Sequence, residues 1–177
     1  MSDNAAKLAE LYAGFKGQFP KVKPITVKEL HDELQRPNGQ SIILLDIRTP
    51  QEWEVSRLPG NVLTTDAFET VREDTAKSAP LVTYCTAGLR SGKYAEGLLK
   101  EGFTDVRNLE GSILAWTQAG YPLVKQDQSP TTDVHVFSKD WALQGDGYHG
   151  VYFSKGGGAL ATVRAGLPSW LGGIRRS

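Results

Sequence analysis

The stretch PLVTYCTAGLRSGKYAEGLLK, residues 80–100, carries the one cysteine of the chain, and its reading decides the fold. PLVTYC (80–85) is an apolar and β-branched run of the kind that forms a strand covered on both faces. Cys85 stands at its end. Thr86, Ala87, Gly88 and Leu89 suit a tight loop, and a helix is expected from about Arg90 and Ser91, with Tyr94, Ala95, Leu98 and Leu99 on one stripe. Backbone N–H groups of such a loop converge into an anion-binding nest, and the helix N-terminus adds its positive end. A lone cysteine is most often a buried, inert small hydrophobe. A thiol at the base of this cradle is instead expected to ionise readily, because the dipoles and the Arg90 charge favour the thiolate.

The same alternation extends outward. ITVKELHDEL (25–34) reads as a strand entering a helix, with Thr26 as N-cap and Glu29 three residues on in a capping box. SIILLDIR (41–48) is a second strand buried on both faces, and TPQEWEV (49–55) starts a helix with Thr49 as cap and Pro50 at its first position. TDVRNLEG (104–111) is a further strand, and SILAWTQAG (112–120) a helix ended by Gly120, with Trp116 in the core. Residues 25–120 therefore predict an α/β domain with a mainly parallel sheet and helices on both faces. Sites in such sheets lie beyond the carboxyl ends of the strands, where Asp46, Cys85 and Glu110 stand.

Composition narrows the class. The chain has 177 residues, 40% hydrophobic and 23% charged, with 20 basic and 20 acidic side chains. That balance gives no electrostatic footprint for nucleic acid or for an anionic membrane. One cysteine excludes an internal disulfide. The start, MSDNAAKLAELYAGFKGQFP, lacks the basic and apolar regions of a secretory signal, and the apolar stretch GGGALATVRAGLPSWLGGI is broken by Arg164, Pro168 and glycines. The expected location is cytoplasmic. His31, His135 and His149 lack ligand spacing, so no metal is expected, and His31 is expected at the surface.

CTAGLRS (85–91) matches the C-x-x-G-x-R-S loop of single-domain rhodanese-like sulfurtransferases. LLDIRTPQEW, LPGNV and LEGSILAWTQAGYPL resemble further segments of that family, in the same order. The resemblance covers about 22–125, leaving an N-terminal helical extension (1–21) and a C-terminal extension rich in glycine and aromatics (126–177). Two places depart: Ser56, Arg57 and Leu58 stand where the family often has Gly-His-Ile, and Ser112 stands where a second glycine is common.

The resemblance implies a sulfurtransferase in which Cys85 attacks the outer sulfur of thiosulfate or a similar anionic donor and holds it as a persulfide. Cyanide, a small thiol or a protein thiol then takes the sulfur, with no metal or organic cofactor. Thr86, Ala87, Gly88, Leu89, Arg90 and Ser91 would form the cradle, and Asp46 and Arg48 would support it. Arg90 either binds the donor or turns back to pair with a carboxylate such as Asp46, and Ser91 reads as a helix cap. Phosphatases and arsenate reductases of the same fold resemble C-x5-R. Four residues separate Cys85 from Arg90 here, and the tighter ring suits one sulfur atom better than a phosphate. A binding or scaffold module on the same fold is the alternative of a different class.

The two extensions carry separate expectations. Ala6, Leu8, Leu11, Tyr12, Phe15 and Phe19 define one face of a helix docked on its own domain. Beyond 126 the chain holds Trp141, Tyr148, Tyr152, Phe153 and Trp170, too many aromatics for a solvated linker, with DVHVF and GVYFS as strands of a hairpin. These aromatics either pack back on the domain, offer a protein-binding surface or cover the Cys85 pocket. GDGYHG (145–150) has the glycine spacing of a dinucleotide loop but precedes a β-like run, which excludes that function. SKGGG (154–158) lacks the Lys-Ser or Lys-Thr pair of a phosphate-binding loop.

Overall fold

The computed structural model describes residues 2–153 and the backbone of 160–163. The continuous apolar runs become the middle of a parallel sheet. Its strands are β1 (Lys23–Ile25), β2 (Ile43–Asp46), β3 (Val62–Thr64), β4 (Leu81–Tyr84) and β5 (Val106–Leu109), in the order β1-β5-β4-β2-β3. All four pairings are parallel. Successive strand residues point to opposite faces. Leu44 and Val82 enter a core with Leu30, Ile113 and Trp116, while Leu45 and Leu81 enter a second with Phe68, Ala95 and Leu98. Thus α2 (Val27–Leu34) and α6 (Ser112–Gln118) cover one face, and α4 (Thr65–Val71) and α5 (Leu89–Lys100) the other.

Helix starts follow their caps. Thr26 Oγ1 accepts the Glu29 amide while Glu29 returns a carboxylate to the Thr26 amide. In α3 (Pro50–Val55) the Thr49 amide donates to Glu52 Oε2 at 2.8 Å. His31 is partly exposed, and its ring stacks on Tyr121 at 4.0 Å, because α2 packs against α6 and the turn after it.

The N-terminal helix α1 (Asp3–Lys16) is docked on the domain as its apolar face requires, burying Leu8 and Tyr12. It rests where backbone comes close. A Cβ on Gly88 would stand 2.7 Å from the Tyr12 ring, and one on Gly92 would stand 2.3 Å from the ring of Phe19, in the turn after α1. Both contacts require glycine.

The C-terminal segment corrects one expectation. β8 (Asp133–His135) and β9 (His149–Phe153) pair in parallel rather than as a hairpin, since residues 136–148 form a crossover between them. The antiparallel partner of β9 is β10 (Leu160–Val163). β6 (Leu123–Val124) and β7 (Pro130–Thr131) form a separate short pair. Val134 and Tyr148 join the core around Trp116, and Trp141 packs against the cluster that includes Leu143 and Leu8. Gly145 and Gly147 of GDGYHG serve packing and a turn: a Cβ on Gly145 would meet the Thr117 carbonyl, and Gly147 has φ +90°. Trp170, SKGGG and most of GGGALATVRAGLPSWLGGI lie outside the described residues. Among the described residues, no helix is long and apolar enough to cross a membrane.

Candidate active site

Cys85 follows β4 directly and is 2% exposed. Its loop is held open by α6. The Ile113 and Leu114 amides donate to the carbonyls of Cys85 and Thr86, both at 3.2 Å. In a planar trans peptide the N–H points opposite to the C=O, so the Thr86 and Ala87 amides are turned away from α6. Gly88, at φ +104°, closes the loop as the cap of α5 and brings its own amide to 3.2 Å from Cys85 Sγ. The Gly88 carbonyl in turn accepts Asn108 Nδ2 at 2.9 Å.

The expectation that Ser91 caps the helix is corrected. Gly88 is the cap, and Ser91 sits inside α5 with its hydroxyl 3.4 Å from Cys85 Sγ. Burial pushes the Cys85 thiol up, but the Ser91 hydroxyl and amide, the Arg90 charge and the Gly88 amide outweigh it, so the thiol lies below its ordinary range. Ala87 is buried beside Leu114, and Leu89 opens α5.

Arg90 takes the pairing role, with a different partner from Asp46. Its Nη1 and Nη2 donate to Glu52 Oε2 and Oε1, each at 2.8 Å, in a bidentate fork. Nη2 also reaches Thr86 Oγ1 at 3.2 Å. Burial pushes Glu52 up, but Arg90, His135 and the Thr49 amide hold its carboxyl well below the usual carboxylate range. Sequence reasoning missed Glu52 as a site residue. Its one local signal was the capping position three residues after Thr49, which turns the carboxylate back toward the Thr49 amide and does not name Arg90.

Asp46 and Arg48 form a separate, fully buried pair. Arg48 Nε and Nη2 donate to Asp46 at 2.9 and 2.7 Å, and Nη2 also donates to the Ser56 carbonyl at 2.7 Å. The Tyr84 hydroxyl donates to Asp46 Oδ2 at 2.7 Å. This network ties the ends of β2 and β4 to the chain after α3, so Ser56 is used through its backbone. Leu58 is buried, and Arg57 lies over the Trp53 ring at 4.9 Å.

Ser112 has a structural reason to be an exception. It adopts φ +51°, a conformation that favours glycine. Its hydroxyl accepts the Cys85 amide at 3.1 Å and lies 3.3 Å from the Leu109 carbonyl, to which it donates. Among the described residues, no group of three or more His, Cys, Asp or Glu side chains is placed to hold a metal.

A parallel five-stranded sheet with a thiol in an amide-lined loop between strand and helix is the rhodanese architecture. Residues 26–119 match the family model of the rhodanese-like domain, and the chain belongs to that family. It is 33% identical over 108 residues to the probable adenylyltransferase/sulfurtransferase MoeZ of Mycobacterium tuberculosis, covering 59% of this chain and 27% of that protein. It is 34% identical over 102 residues to the tRNA uridine(34) hydroxylase of Protochlamydia amoebophila, covering 52% of this chain and 30% of the relative. The chain thus spans less than a third of the length of these curated relatives. Among solved structures, the polysulfide-sulfur transferase homodimer of Wolinella succinogenes is similar in fold, with a TM-score of 0.52 at 21% identity, over 71% of this chain and 95% of that one.

Proposed function

We propose that this protein is a sulfurtransferase that carries a sulfane sulfur on Cys85. The observation that carries the reading is the thiol's setting: the Gly88 amide at 3.2 Å and the Ser91 hydroxyl at 3.4 Å both face Sγ, with Arg90 nearby. Groups that favour a thiolate also favour the anionic terminal sulfur of a persulfide. The relatives named for sulfur transfer support the same reading.

In the first half-reaction the Cys85 thiolate attacks the outer sulfur of thiosulfate or a similar anionic donor. An S–S bond to Cys85 forms as the donor's S–S bond breaks, and sulfite leaves with the bonding pair. In the second, cyanide, a small thiol or a protein thiol attacks the terminal sulfur, and the Cys85 thiolate departs. Thr86, Ala87, Gly88, Leu89, Arg90 and Ser91 supply the cradle. Asp46 and Arg48 fix the strand ends beneath it. Neither half-reaction calls on a metal or organic cofactor, and a free thiolate fits a reducing, cytoplasmic setting.

Steady-state kinetics test this. With thiosulfate and cyanide varied together, parallel double-reciprocal lines are expected, as for two half-reactions sharing a covalent intermediate. Turnover of an aryl phosphate in place of thiocyanate formation would assign the loop to phosphate chemistry instead. No turnover of either would favour a binding module.

A further inference from the structure

The segment after the family domain reaches back to the catalytic loop. His135 Nδ1 lies 3.3 Å from Glu52 Oε1, and both side chains are nearly buried. Val136 packs in one cluster with Ala87 of the loop, Leu8 of α1 and Leu114 of α6. The Phe137 ring lies over the Arg90 guanidinium, 5.0 Å from centroid to Cζ, and meets Trp141 edge-on at 5.8 Å. Three consecutive residues thus touch the loop or the ion pair that braces it. Their anchors are buried, while Phe137 is 49% exposed.

From this placement we infer that residues 135–137 form an outer wall of the Cys85 pocket, and that Phe137 selects reaction partners by size. A thiol 2% exposed is reached only through its rim. In this account the ring over Arg90 stands on that rim from the side of the C-terminal segment, while the Arg90 charge is already paired with Glu52. Small nucleophiles and donors pass; bulky thiols are disfavoured. Phe137 touches no reacting atom in this account. It acts as a specificity residue contributed from outside residues 26–119, so the matched family domain alone does not contain it.

The inference takes its meaning from the sulfurtransferase reading, but its test requires no sulfur transfer. Cys85 is the one cysteine of the chain, so alkylation reports on it alone. In the full-length protein at one fixed pH, rates are measured with iodoacetamide and with fluorescein maleimide. Access scales thiol reaction rates directly, so Phe137→Ala should raise the maleimide-to-iodoacetamide rate ratio by about fivefold or more. Phe137→Trp should lower it. The ratio cancels any change in thiolate fraction caused by removing the ring from Arg90. Because Phe137 is half exposed, a folded variant is expected, to be verified by its melting curve. An unchanged ratio in both variants, or equal acceleration of both reagents, would overturn the inference. A changed ratio in a protein that forms no thiocyanate would leave the wall standing and remove the sulfurtransferase reading.

Discussion

Arg90 holds Glu52 through two hydrogen bonds of 2.8 Å, so the arginine of the Cys85 loop is braced by a carboxylate from α3. Its charge still acts on Cys85, while its donor edge is occupied by protein. The loop is thereby fixed to the helix that follows β2.

The pair gives a pH dependence of stability. The folded-state Glu52 carboxyl is depressed below its unfolded value of about 4.3. Its stabilisation is therefore present above that value and lost as pH falls below it. Glu52→Gln should be less stable at neutral pH by about 1–3 kcal/mol, because Arg90 loses an ionised acceptor. The variant should also show a weaker loss of stability on acidification below the unfolded value. Denaturant melts across the acid range measure both effects.

Ser91 bears on the thiol directly. Removing its hydroxyl in Ser91→Ala leaves burial less opposed, so the Cys85 pKa should rise. The pH profile of iodoacetamide alkylation should shift to higher pH, and the rate at neutral pH should fall. An unshifted profile would show that the contact at 3.4 Å contributes nothing to ionisation.

At Ser112 two effects compete. Ser112→Gly relieves the left-handed conformation but loses the acceptor for the Cys85 amide. Ser112→Ala loses the acceptor and keeps the strain, of about 1–2 kcal/mol for a residue with a Cβ. The alanine variant should therefore melt lower than the glycine variant in thermal unfolding.

Gly92 is a packing test of the N-terminal segment. A methyl group there would overlap the Phe19 ring, so Gly92→Ala should destabilise by about 1–3 kcal/mol. Combining it with Phe19→Leu should cost less than the sum of the single changes, since the overlap is then removed.

Much of this was legible in the sequence because the signals were local. The runs at 41–48 and 80–85 announced doubly covered strands, and Thr26–Glu29 and Thr49–Pro50 marked helix starts that the structure keeps. The turn from Cys85 to Ser91 was legible as a local shape because strand, small-residue loop and helix follow one another without a gap. Partners distant in sequence were not. Glu52 is 38 residues from Arg90, and nothing in either local pattern names the other. The parallel pairing of β8 and β9 escaped because two short apolar runs carry no direction, and the crossover between them has no helical stripe. The seating of Phe137 on Arg90 depends on that same pairing.

The central claim is tested most directly by intact mass. The protein is incubated with thiosulfate, desalted, and weighed under non-reducing conditions alongside Cys85→Ser. One added sulfur atom on the wild type, lost on treatment with cyanide and absent from the variant, is the predicted result. No adduct on the wild type, with no thiocyanate formed from cyanide, would contradict sulfur transfer through Cys85.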